Sequence, residues 1–203
     1  MKTLKIIALL ATLLPRSAPA QNADYQLRPS VHLQLPIGTN GQGVAGWLIV
    51  PNAMESKPKL YAASGWLLKK QNSWQEFMVG GLFSQDGTIK PALNFRAYMA
   101  FPKAGGMDFY SGFLLRPDRA IVDPYVTYPV GPIRLGLETE LTAGLEDGIK
   151  SCARLGPRLS FKIPKVRGLT FATSALFDVW GENGRSDTVV VRSYLCYTFS
   201  KNR

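Results

Sequence analysis

Apolar and polar positions alternate with a period of two through most of this chain. In Leu93-Asn94-Phe95-Arg96-Ala97-Tyr98-Met99 the odd positions are apolar and the even ones mostly polar. Ile133, Leu135, Leu137, Thr139 and Leu141 share one face against Arg134, Glu138 and Glu140. Leu155, Leu159, Phe161 and Ile163 oppose Arg154, Arg158 and Lys162, and Val189, Val191, Leu195, Tyr197 and Phe199 oppose Arg192, with Tyr194 and Cys196 beside it. Strand side chains point alternately to opposite faces, so each segment predicts a strand with one greasy and one polar face. No segment sustains the 3.6-residue period of an amphipathic helix.

Turn-forming residues punctuate the pattern at Asn40-Gly41, Asp86-Gly87, Gly105-Gly106, Pro117-Asp118, Gly131-Pro132, Asp147-Gly148, Arg167-Gly168 and Asn183-Gly184. Between them lie eleven candidate strands, near 28–36, 43–51, 59–69, 73–84, 89–101, 107–116, 119–128, 131–143, 148–163, 168–180 and 186–199. No linker or low-complexity tract divides them, and the chain reads as one all-β domain over residues 21–203.

Residues 1–20 fall outside that pattern. Lys2 and Lys5 precede an apolar run from Ile6 to Leu14, then Pro15 and the small residues Ser17-Ala18-Pro19-Ala20. This predicts a secretory signal peptide cleaved after Ala20. The run is about half the ~20 residues that a spanning helix needs, and no later stretch comes closer. Residue 21 is Gln, not the Cys of a lipoprotein. Three of the 24 bases and none of the 14 acids leave with the leader, so the net charge falls from +10 to +7.

Alternation does not say which face is inside. A soluble barrel or sandwich turns the apolar face inward, whereas a membrane barrel turns it to lipid and the charges to the lumen. Three features favour the membrane barrel. The segments match the ~9–11 tilted residues of a spanning strand. Aromatic residues gather near segment ends, at Trp74, Tyr110, Tyr125, Tyr128, Trp180, Tyr197 and Phe199, as in an interfacial girdle. Finally, the last strand carries Leu195, Tyr197 and Phe199 on one face before the tail Ser200-Lys201-Asn202-Arg203. That ending resembles the terminal strand of bacterial outer-membrane β-barrel proteins, a general likeness of pattern over residues 28–199. The resemblance implies an antiparallel up-and-down β-barrel in the outer membrane, in contact with its lipid. Such single-chain barrels have even strand numbers, so ten or twelve strands are expected. One feature points the other way. Segments 43–51 and 73–84 are apolar on both faces, and a lumenal Met78 or Leu82 needs something to pack on. Residues 21–30 folded inward would supply it, as would a soluble fold.

On the barrel reading the polar faces gather Arg96, Arg119, Asp123, Arg134, Glu138, Glu140, Arg154, Arg158, Lys162, Asp178 and Arg192 in the lumen. Adjacent strands set Glu138 and Glu140 beside Arg154 and Arg158, a favourable cross-strand arrangement. Such a ladder holds the register, and its surplus of bases suits small anionic solutes. His32 is the single imidazole. An outer-membrane lipid hydrolase would have to use it, but Gln34 stands where a His-x-Ser motif would have serine, and no G-x-S-x-G elbow occurs. Cys152 and Cys196 lie on strands running the same way with another between them, beyond bridging distance. One His excludes a multi-His metal site, no glycine loop cradles phosphate, and the bases are too dispersed for nucleic acid. No cofactor is expected. The reading is a narrow, porin-like, charge-lined barrel without enzymatic activity. Its rivals are a soluble periplasmic or secreted barrel around an apolar ligand, and the lipid hydrolase.

Overall fold

The computed structural model describes residues 22–37, 40–181 and 188–200, so the leader and the polar tail lie outside the described residues. The strands are β1 (Asn22–Pro36), β2 (Gln42–Ile49), β3 (Leu60–Lys70), β4 (Ser73–Phe83), β5 (Ile89–Phe101), β6 (Met107–Leu115), β7 (Arg119–Val122), β8 (Tyr125–Val130), β9 (Ile133–Gly144), β10 (Cys152–Lys162), β11 (Leu169–Gly181) and β12 (Thr188–Ser200). No helix occurs among the described residues. Apart from β7 and β8, which do not pair with each other, each strand pairs with its neighbours in sequence, and β12 returns to β1, closing the sheet into a barrel.

β7 and β8 are halves of one strand. Both lie between β6 and β9, and the register with β9 is the same on either side of the break, with Val122 opposite Leu141 and Tyr125 opposite Glu138. Pro124 causes the interruption, because it has no N–H to give the ladder. The barrel therefore has eleven strands, within the expected range but odd where an even number was expected. Parity dictates the closure. In an odd meander the first and last strands run the same way, and β1 accordingly pairs with β12 in parallel, from Asn22 opposite Thr188 to Gln34 opposite Ser200. All other pairings are antiparallel. The first strand starts at what is termed here the Asn22 rim, and the last ends at the opposite, Ser200 rim.

The turns fall where glycine permits a left-handed backbone. Gly41, Gly87, Gly105, Gly106, Gly131, Gly148 and Gly168 all have positive φ. Lys165 shares this conformation without being glycine, at φ 67°.

The faces are inverted relative to a soluble domain. Leu48, Trp66, Phe77, Val79, Leu93, Leu137 and Leu155 point outward and are exposed, while His32, Gln34, Glu76, Asn94, Glu138, Glu140 and Arg192 are buried inside. The doubly apolar strands are resolved without an inward N-terminal segment, because residues 22–36 are part of the wall as β1. Their inward residues instead pack on one another across β2–β5: Ala45, Tyr61, Ala63, Leu67, Met78, Leu82 and Ala92 form an apolar cluster lining one side of the interior.

Candidate functional site

The interior of the barrel holds a cavity of about 1040 Å³. Its lining includes Pro51 and Arg116 near the Asn22 rim and Lys165 and Arg167 near the Ser200 rim, so it reaches both ends.

One wall, from β9 to β12 and β1, is an ion-pair network. Arg154 bonds Glu140 at 2.9 Å and Asp178 at 2.7 Å. Arg192, 2% exposed, meets Glu140 at 2.6 Å, lies 3.8 Å from Glu138, and donates to Gln26 at 3.2 Å. Arg158 pairs with Glu138, which also accepts from the Tyr194 hydroxyl at 2.8 Å. The Arg158 guanidinium lies 4.1 Å above the Tyr125 ring. Cross-strand register builds this directly, with Arg154 opposite Glu140 on one side and Asp178 on the other. Charges out of water are tolerated only when partnered in this way.

The other wall, from β1 to β6, is aromatic. His32 stacks on Trp47 at 4.3 Å, its direct cross-strand neighbour. Trp74 stacks on Tyr98, and Tyr110 on Tyr125 at 4.8 Å. At its centre is Glu76, fully buried on β4. Its carboxylate accepts from Gln34 at 2.8 Å and from the Trp47 indole at 3.1 Å, and meets His32 Nε2 at 2.6 Å. It reaches β1 across two intervening strands because β2 and β3 place the small Ala45, Ala63 and Gly65 in between.

Arg96 lies 3.7 Å over the Trp47 ring and donates to Asn94 at 3.2 Å. Asp123 sits at the β7–β8 break and reaches over Gly112, where a Cβ would lie 2.0 Å from its Oδ1.

Two rim clusters complete the interior. At the Ser200 rim Arg134 meets Asp108 at 2.8 Å and the Gly106 carbonyl at 2.6 Å. At the Asn22 rim Asp118 gathers Lys90 at 3.2 Å, Arg116 at 3.0 Å and Arg119 at 3.4 Å. Burial pushes the Asp118 carboxyl up, but Arg116, Lys90 and Arg119 more than reverse this and hold it below the usual carboxylate range.

The structure thus places the eleven charged residues read from the sequence on inward registers, with Arg119 and Arg134 at opposite rims. The aromatic reading needs correction. Tyr128, Trp180, Tyr197 and Phe199 face outward, but Trp74, Tyr110 and Tyr125 line the cavity and belong to no girdle. Their even or odd place in the strand decides this, not their nearness to its end. Cys152 and Cys196 are free, on β10 and β12 with β11 between them. Sequence reading missed Glu76 and Asp108. Glu76 shares the inward face of β4 with Trp74 and Met78, and a lone carboxylate in so apolar a strand was the available signal.

The chain matches no protein-family model, no curated protein and no solved structure.

Proposed function

We propose that this chain is an exported outer-membrane β-barrel whose lumen is a passive pore for small charged solutes. The observation that carries the reading is the inverted barrel, apolar on its outer face and enclosing a charge-lined cavity that reaches both rims. Water rejects such an outer face, whereas the hydrocarbon of a bilayer accepts it. A soluble barrel around an apolar ligand would turn those faces inward. The leader-like residues 1–20 supply the route of export.

Basic side chains stand at both mouths, with Arg116 at one and Lys162, Lys165 and Arg167 at the other, while the lining carboxylates Asp123, Glu138 and Glu140 lie between. Basic mouths draw anions in and repel cations. Planar-bilayer recording under a salt gradient tests this. Chloride should carry more current than potassium, and charge-reversing Lys162, Lys165 and Arg167 to glutamate should reduce the preference. A bilayer with no conductance, or recovery of the chain in the soluble periplasm, would overturn the reading.

His32 does not advance a hydrolase reading. Its Nε2 is occupied by Glu76 and its ring is stacked on Trp47 inside the barrel, away from the outer face where acyl chains would lie.

A further inference from the structure

Arg96 and Asp123 stand apart from the ion-pair network. Arg154, Arg158 and Arg192 are taken up by Glu138, Glu140 and Asp178. Among the described residues, neither Arg96 nor Asp123 has an opposite charge within ion-pair distance, although both line the cavity. They flank the same gap. Arg96 is directly opposite Gly112 on β6, and the Asp123 N–H bonds the Gly112 carbonyl at 3.0 Å from the other side. Having no side chain, Gly112 leaves the space over which the Asp123 carboxylate lies, next to the Tyr110 hydroxyl. The gap thus presents a guanidinium at one edge and a carboxylate at the other. Its wall is aromatic: Trp47 under Arg96, then Tyr110 with Tyr125 stacked on it.

We propose that this part of the lumen binds small zwitterions, namely α-amino acids or short peptides with an aromatic or apolar side chain. The proposal rests on the pore reading and names the solute class it would favour. The ligand carboxylate meets the paired N–H donors of Arg96, the geometry that guanidinium offers best. Its ammonium meets Asp123, and its side chain lies against the rings. A simple anion would satisfy Arg96 but stand beside Asp123, and a simple cation would suffer the reverse. Discrimination therefore comes from the repulsive partner as much as from the attractive one.

The test uses the full chain in detergent at neutral pH, titrated with phenylalanine, N-acetylphenylalanine and phenylalaninamide while tryptophan fluorescence is followed. Phenylalanine should bind about tenfold more tightly than either capped form, each of which lacks one charged contact. Asp123→Asn should abolish its advantage over N-acetylphenylalanine and keep that over phenylalaninamide, and Arg96→Gln should do the opposite. Circular dichroism and heat-modifiable gel mobility establish that each variant is folded. Equal binding of all three compounds, binding of none, or N-acetylphenylalanine binding as well as phenylalanine would overturn the proposal. Failure of the pore reading is recognised separately, as absence of conductance in the bilayer, since the detergent titration needs no transport.

Discussion

Single side chains decide how this interior holds together. Glu76 accepts from Gln34 and Trp47 and meets His32 Nε2 while wholly enclosed. Glu76→Gln keeps the shape but turns an N–H₂ towards donors, leaving at least one buried group unpaired at a cost of about 1–3 kcal/mol. Urea unfolding in lipid vesicles should report that loss, and an unchanged midpoint would show that the three contacts contribute nothing. Gly112→Ala makes the contrasting case. Its Cβ would collide with the end of the Asp123 side chain and not with backbone, so the barrel should fold with nearly unchanged heat stability while the carboxylate moves. Loss of the strand signature in circular dichroism would contradict this. Neither residue was picked out from the sequence, although Glu76 left a signal as the lone carboxylate of its strand. Glu76 lies in a strand whose greasiness masked its place, and the use of Gly112 exists only once β6 and β7 are side by side.

At the scale of elements, short-range chemistry made the strands readable. Alternation and glycine turns put ten of the eleven segments within a few residues of where they occur, because period-two patterning and positive φ are local properties, whereas β1 begins at Asn22, six residues before the expected 28. Long-range placement was less readable. Tyr110 and Tyr125 sit where a girdle would, yet the phase of the alternation sends them inward onto each other. The β6–β7 turn carries a testable consequence of its own. Asp118 has its carboxyl held below the unfolded value, so its contribution to stability is complete above that value and disappears as pH falls through the lower, folded one. Thermal unfolding of the wild type should therefore weaken with acid below about pH 4, and Asp118→Asn should flatten that part of the profile while lowering stability at neutral pH. Parallel profiles for the two proteins would exclude the rim cluster as a source of acid sensitivity.

For the whole molecule, the question that alternation left open was which face looks inward. Pattern alone is symmetric on this point. The asymmetry appears with closure, when Leu137 is found half-exposed outside and Glu138 beside it enclosed. Leu137→Arg should destabilise the barrel in a bilayer by about 2–4 kcal/mol if the site lies near the midplane. Folding measured in vesicles would detect this, and a neutral effect would argue against lipid at that face. The strand number was read to within one, but its parity was not, because nothing local in a sequence distinguishes a parallel final pairing from an antiparallel one.

That parallel seam has a practical consequence for protein engineering. Asn22 and Ser200 sit at opposite rims, separated by the thirteen paired positions of the seam, or ~40 Å at the usual rise of a strand. Most compact domains bring their termini close together, which makes circular permutation easy. Here no short peptide can join them, since it would have to run the length of the barrel. On the proposed membrane reading, reporters fused before β1 and after β12 would sit on opposite faces of the bilayer, so a single folded molecule would carry two labels of opposite sidedness, only one of them within reach of an external protease.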